Sequence, residues 1–93
     1  MNHVNLIGKT SSGRTIAADR SEVKFRMQTK VSFVNEKGEL ETSTQEHAII
    51  ATGRWVRVLE EIENFNKSEI AIEGSLKTIG WKVFIQINDL ILL

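Results

Sequence analysis

Val23, Phe25, Met27, Val31 and Phe33 share one parity, and Lys24, Arg26, Gln28, Lys30 and Ser32 share the other. A period of two over eleven residues, rich in β-branched and aromatic types, specifies a long strand with one buried face. Its polar face carries three cations. Asn35–Glu39 reads as a hairpin turn with Gly38 at the left-handed position. The return strand runs from about Thr42 to Thr52 through His47-Ala48-Ile49-Ile50-Ala51, and Gly53 ends it. An earlier strand spans His3–Ile7, stops at Gly8, and leads into the polar link Thr10-Ser11-Ser12-Gly13-Arg14. The period then changes: Trp55, Val58, Leu59, Ile62 and Phe65 recur at three- and four-residue steps, which predicts an amphipathic helix of about three turns closed by Asn66-Lys67-Ser68. Strand character resumes over Glu69–Ile79, breaks at Gly80, and returns with Val83, Ile85 and Ile87 toward Leu93.

The order is strand, long strand, strand, helix, strand, strand. The expected fold is all-β: a five-stranded OB-fold Greek-key barrel with one α-helix between strands 3 and 4. Residues 9–21 are too polar for the second helix a ferredoxin-like sandwich needs. At 93 residues one domain, 1–93, is expected, large enough to bury about 60–65% of its unfolded surface. The chain has no cysteine, which excludes a disulfide scaffold and a thiol nucleophile. Its two histidines, His3 and His47, are too far apart in sequence to suggest a metal cluster, so neither metal nor cofactor is expected. No apolar run approaches the roughly 20 residues of a membrane span, and the N-terminus does not read as a signal peptide. A cytoplasmic, non-enzymatic protein is the expectation.

Twelve Lys and Arg balance twelve Asp and Glu, yet the charges segregate. Residues 1–30 hold Lys9, Arg14, Arg20, Lys24, Arg26 and Lys30 against Asp19 and Glu22. Residues 31–46 and 60–73 are acidic, the latter through five Glu, so Glu60, Glu61 and Glu63 turn the helix away from any polyanion. One face could be basic in a neutral whole; the alternative is charge scattered over a solvated surface.

Several strings, in register over the chain, resemble the bacterial single-stranded-DNA-binding family: Met1-Asn2-His3-Val4-Asn5-Leu6-Ile7-Gly8-Lys9 at the start, the Gly13-Arg14 step, Phe25-Arg26-Met27-Gln28-Thr29, Thr44 to Arg54, Ile70-Ala71-Ile72-Glu73-Gly74-Ser75-Leu76-Lys77-Thr78, and Asn88-Asp89-Leu90. The resemblance implies bases stacked on aromatic rings while cations follow the phosphates, without sequence preference. Of the family's four aromatic platforms, two match Phe33 and Trp81; the others fall on Glu46 and Thr52. The family's long basic hairpin is replaced by a turn at Ile79-Gly80-Trp81-Lys82. Its acidic C-terminal tail has no counterpart before the last residue, Leu93, which implies a tail either trimmed or never present.

The expected nucleic-acid contacts are therefore Phe33 and Trp81 as stacking rings, with Lys9, Arg14, Lys24, Arg26, Lys30, Arg54, Lys77 and Lys82 as phosphate partners. Strict alternation would instead bury Phe33, and Trp81 could fold over the barrel end. The row Lys24, Arg26, Lys30 could be a solvated face that blunts an edge. The resemblance also implies a homo-oligomer, dimer or tetramer, with His3, Val4, Asn5, Leu6 and His47 at the contact; His47 alone reads equally as a half-buried, satisfied side chain. Phe84 has the parity of Gln86, so it reads as an exposed subunit contact or a stacking site. Single-stranded DNA is the expected partner, with replication, recombination or repair proteins besides. The alternative is an OB-fold protein-interaction module, resembling primosomal replication protein B, that binds DNA weakly or not at all.

Overall fold

The computed structural model describes residues 3–63, 65–66 and 68–93, with the backbone alone at residue 31. Met1 and Asn2 of the opening motif, the inward side chain expected of Val31, and Lys67 in the closing turn lie outside the described residues. The elements are β1 (Val4–Thr10), β2 (Thr15–Ile16), β3 (Glu22–Val34), β4 (Leu40–Thr52), α1 (Arg54–Glu60), β5 (Glu69–Ile79) and β6 (Lys82–Leu92). The strands hydrogen-bond in the order β1-β5-β6-β4-β3-β2, and a further β1–β3 pairing closes the five long strands into a barrel. The β4–β6 pairing, Ile49 with Ile85 and Ile50 with Gln86, is parallel, and the others are antiparallel. The two-residue β2 adds an arm beside Val23 and Lys24. The OB-fold order is thus present, with the helix between the third and fourth long strands.

Alternation fills the barrel. Val23, Phe25 and Met27 of β3 meet Ile49 and Ala51 of β4, Ile70 and Ile72 of β5, and Ile85 and Ile87 of β6. Val56 and Leu59 of α1 cap one end with Phe65, whose ring meets Phe25 edge-on at 5.1 Å. Burying such side chains contributes about 1.5–3 kcal/mol each. Closure has a backbone requirement as well. β1 does not stop at Gly8 as expected but runs through it to pair Lys9 with Gln28. A Cβ at Gly8 would lie 2.0 Å from the Gln28 carbonyl oxygen, so the strands approach this closely only because the residue is glycine.

The helix is shorter than its sequence period suggests. It ends at Glu60, and Val56 rather than Val58 is buried. Three carbonyls beyond or near its end are claimed by side chains from the first third of the chain. Arg14 Nη1 donates to Leu59 O at 2.8 Å and to Ile62 O at 2.7 Å, with its guanidinium 5.1 Å from the Phe65 ring centroid. The Thr10 hydroxyl donates to Phe65 O and accepts the Ser68 N–H at 2.9 Å. A cation at the carbonyl end also suits the helix dipole. Ile62 and Phe65 therefore still pack on the core, but from an irregular segment.

β3 and β4 outrun the barrel. β1 pairs with β3 only at Met27 and Gln28, and β6 pairs with β4 only at Ile49 and Ile50. The β3–β4 ladder nevertheless continues unbroken to Val34 opposite Leu40. Its tip is set by Asn35, whose side-chain Oδ1 accepts the Lys37 and Glu39 N–H groups at 2.9 Å, with Gly38 at φ 79°. This two-stranded ribbon contributes to the long shape, 52 × 30 × 21 Å.

Candidate nucleic-acid interface

The outward parity of β3, β4, β5 and β6 forms one face. Register places Lys77 of β5 opposite Phe84 of β6, and Arg26 of β3 opposite Ala48 of β4. Arg26, Ala48 and Phe84 line one open groove of about 760 Å³ together with Lys24, Glu46 and Lys82. Its far wall is the β1–β2 link, where the Ser12 hydroxyl accepts the Arg26 N–H at 3.1 Å. Phe84 is half-buried, and Lys24 Nζ lies 5.3 Å from its ring centroid, a cation–π distance.

Glu46 stands inside this cationic groove, where the family resemblance leads one to expect a ring. Arg26 Nε donates to Glu46 Oε1 at 2.5 Å, and the Ser11 hydroxyl donates to Oε2 at 3.3 Å. The hydrogen bond from Arg26 holds the Glu46 carboxyl below its ordinary range, against the opposing pull of desolvation. The other substituted position, Thr52, accepts a hydrogen bond from Gln86 Nε2 at 3.2 Å.

Both expected rings are exposed. Trp81 is fully exposed, at the second position of the two-residue Gly80-Trp81 turn between Ile79 and Lys82. Gly80 has φ 61°, the positive value that a type II′ hairpin turn requires at its first central residue. Phe33 is 44% exposed. It gets there without a bulge: it keeps the inward parity, paired with Glu41, but sits where the ribbon has left the barrel.

The cations divide. Lys24, Arg26 and Lys82 line the groove, and Lys77 borders it through Phe84. Lys30 continues the row onto the ribbon, opposite Thr44. Lys9 is exposed on β1, in register with Gln28 on one side and Glu69 on the other. Arg14 departs from the expectation, because its guanidinium is committed to the helix-end carbonyls and the Phe65 face. Arg54 lies at the start of α1, with its guanidinium 4.7 Å from the Trp55 ring centroid, and is not among the groove-lining residues.

The expected subunit-contact residues do not form one surface either. Val4 and Leu6 pack inward against the core, while His3 and Asn5 are exposed, their side-chain nitrogens 3.2 Å apart. His47 is half-buried with Nε2 2.9 Å from the Thr29 hydroxyl. Phe84 belongs to the groove, with β5 between its strand and β1. The exposed apolar side chains beside Asn5 are instead Ile7 and Ile91, flanking Ala71 on the outer face of β1, β5 and β6. Ile7 has the parity of Asn5, which is the sequence signal for its exposure. Among the described residues there is no cluster of metal-ligating side chains, and no helix is long and apolar enough to cross a membrane.

No family model matches the chain. It is similar to single-stranded DNA-binding protein 1 of Chlorobaculum tepidum, 30% identical over 84 residues that take in 87% of this chain and 51% of that protein. The chain thus spans about half the length of that curated relative. Among solved structures, the Plasmodium falciparum SSB complex with ssDNA superposes with a TM-score of 0.84 at 22% identity, over 100% of this chain and 95% of that one. A small single-stranded DNA binding protein from Mycoplasma pneumoniae gives 0.75 at 25% identity, over 98% and 92%. The protein PriB from Ralstonia solanacearum gives 0.75 at 12% identity, over 99% and 97%. Strand order, barrel closure and these likenesses make the chain a divergent OB-fold protein akin to the bacterial single-stranded-DNA-binding proteins.

Proposed function

We propose that the protein, as one OB-fold domain, binds single-stranded DNA without sequence preference, through the outer groove and the two hairpins beside it. The observation that carries this reading is Trp81, fully exposed on a two-residue turn and followed by Lys82, which lines the cationic groove. A large ring held in water costs solvation unless a flat partner covers it, and a nucleobase offers such a face whatever its sequence. Phe33 supplies a second ring on the ribbon, and Lys24, Lys30, Lys77 and Lys82 supply the charge that follows phosphates. The likeness to the Chlorobaculum and Mycoplasma proteins supports the same reading. Replication, recombination or repair in a bacterial cytoplasm is the setting such an activity fits. A second copy would cover Ile7 and Ile91, with His3 and Asn5 at its margin, giving a homo-oligomer.

The test is binding of a labelled oligo-dT strand, and of a duplex of equal length, followed by fluorescence anisotropy at low salt. Tight binding to the single strand with much weaker binding to the duplex is the expected result. Equal affinity for both, or for neither, would refute it. One observation favours a second reading, a protein-interaction module: the Arg26–Glu46 pair withdraws a cation from the centre of the face. That reading gains if neither strand binds.

A further inference from the structure

We infer that the Phe84 ring is a base-stacking platform at the centre of the groove. The inference rests on the single-strand reading above and adds to it a residue that the resemblance does not assign. Phe84 is turned outward by the parity of β6, opposite to that of the core residues Ile85 and Ile87. It is half-buried, so the ring is held in place while part of it stays open to the groove. Two lysines neighbour it: Lys24, with Nζ 5.3 Å from the ring centroid, and Lys77, its register partner across the β5–β6 pair.

These neighbours select the occupant. An apolar protein side chain laid on Phe84 would take the Lys24 ammonium beside the ring out of water without neutralising it, which is costly. A nucleotide satisfies both demands at once, its base on the ring and its phosphate on the ammonium. Lys24 has a flexible stem, so its ammonium can leave the ring for a phosphate oxygen as the base arrives. The small Ala48 lines the same groove.

Phe84→Leu keeps an apolar side chain at this half-buried position and removes the aromatic face. Its affinity should be compared with that of the unaltered protein on oligo-dT and on an abasic strand of equal length, which has the phosphates but no bases. The expected result is about tenfold weaker binding of oligo-dT, the scale of one stacked base, with abasic binding unchanged. Equal oligo-dT affinities would overturn the inference and leave the single-strand reading standing. Equal losses on both strands would also overturn it, because they would mark a general disturbance of the face. If the unaltered protein binds no single strand at low salt, the single-strand reading fails and this inference with it. As an independent readout, Phe84→Trp placed on Trp81→Phe should give fluorescence quenched by oligo-dT beyond that of Trp81→Phe alone; no added quenching would count against the platform.

Discussion

Arg26 and Glu46 meet across the β3–β4 pair with Nε and Oε1 2.5 Å apart, in the groove that also gathers Lys24, Lys82 and Phe84. The carboxylate sits on the guanidinium where a phosphate oxygen would sit. Both side chains are about half exposed, so the pair is in contact with water, yet Arg26 is already neutralised by its neighbour. Under the proposed function, a strand entering the groove would find that cation occupied and would meet the repulsion of the Glu46 carboxylate.

Glu46→Gln is therefore expected to bind oligo-dT several-fold more tightly at low salt. Freeing one cation adds roughly one phosphate contact, so the plot of log affinity against log salt steepens by about 0.7. Anisotropy titrations at three or more salt concentrations measure both. An unchanged slope would mean that Arg26 does not contact the strand.

The same pair sets a pH response of stability. Its hydrogen bond lowers the folded pKa of Glu46, so the stabilisation is present above the unfolded value and is lost as pH falls through the folded one. The melting temperature of the unaltered protein should exceed that of Glu46→Gln at neutral pH. The gap should persist down to the ordinary carboxyl value of 4.5 and close only below it. A gap already closed at about pH 5 would contradict the assigned interaction, since an ordinary glutamate is still ionised there.

Arg14→Met tests the assignment of that cation to the fold. Loss of two charged hydrogen bonds to Leu59 O and Ile62 O should lower the unfolding free energy by about 2 kcal/mol. Urea unfolding curves read this directly. Affinity for single strands, measured where the variant is folded, should not change. A strong loss of affinity in a stable variant would return Arg14 to the interface.

Gly8→Ala and Gly13→Ala form a matched pair. At Gly8 the new methyl group would meet the Gln28 carbonyl oxygen at 2.0 Å, whereas at Gly13 nothing lies within 4 Å. The first should cost about 3 kcal/mol or prevent folding. The second should stay within about 0.5 kcal/mol of the parent. Similar losses at both sites would argue against closure of the barrel at the β1–β3 crossing.

Strand order was legible because alternation and glycine breaks are local properties, and the bounds expected for Glu69–Ile79 are those observed. Phe33 shows where alternation stops informing: its parity matches the buried Phe25, but parity does not tell where a strand leaves its barrel. Arg14 shows a second limit. Its short polar surroundings carry no sign of carbonyl partners 45 and 48 residues away. Those partners are also tied to the helix ending early, since the three-to-four-residue spacing continues through Ile62 and Phe65 after the helix has stopped. Glu46 was legible as a lost ring but not as a partner of Arg26, because that pairing depends on the β3–β4 register.

The most direct test of the account is the quenching of intrinsic tryptophan fluorescence by oligo-dT, in the unaltered protein and in Trp81→Ala, at low and at moderate salt. Trp81 is fully exposed and Trp55 packs against the core, so the two tryptophans report different places. Strong quenching that weakens steeply with salt is the expected result. Trp81→Ala should lose that quenching and bind about 5- to 100-fold more weakly, with an unchanged melting temperature. Absence of quenching at low salt, or equal affinity in Trp81→Ala, would contradict the proposed function.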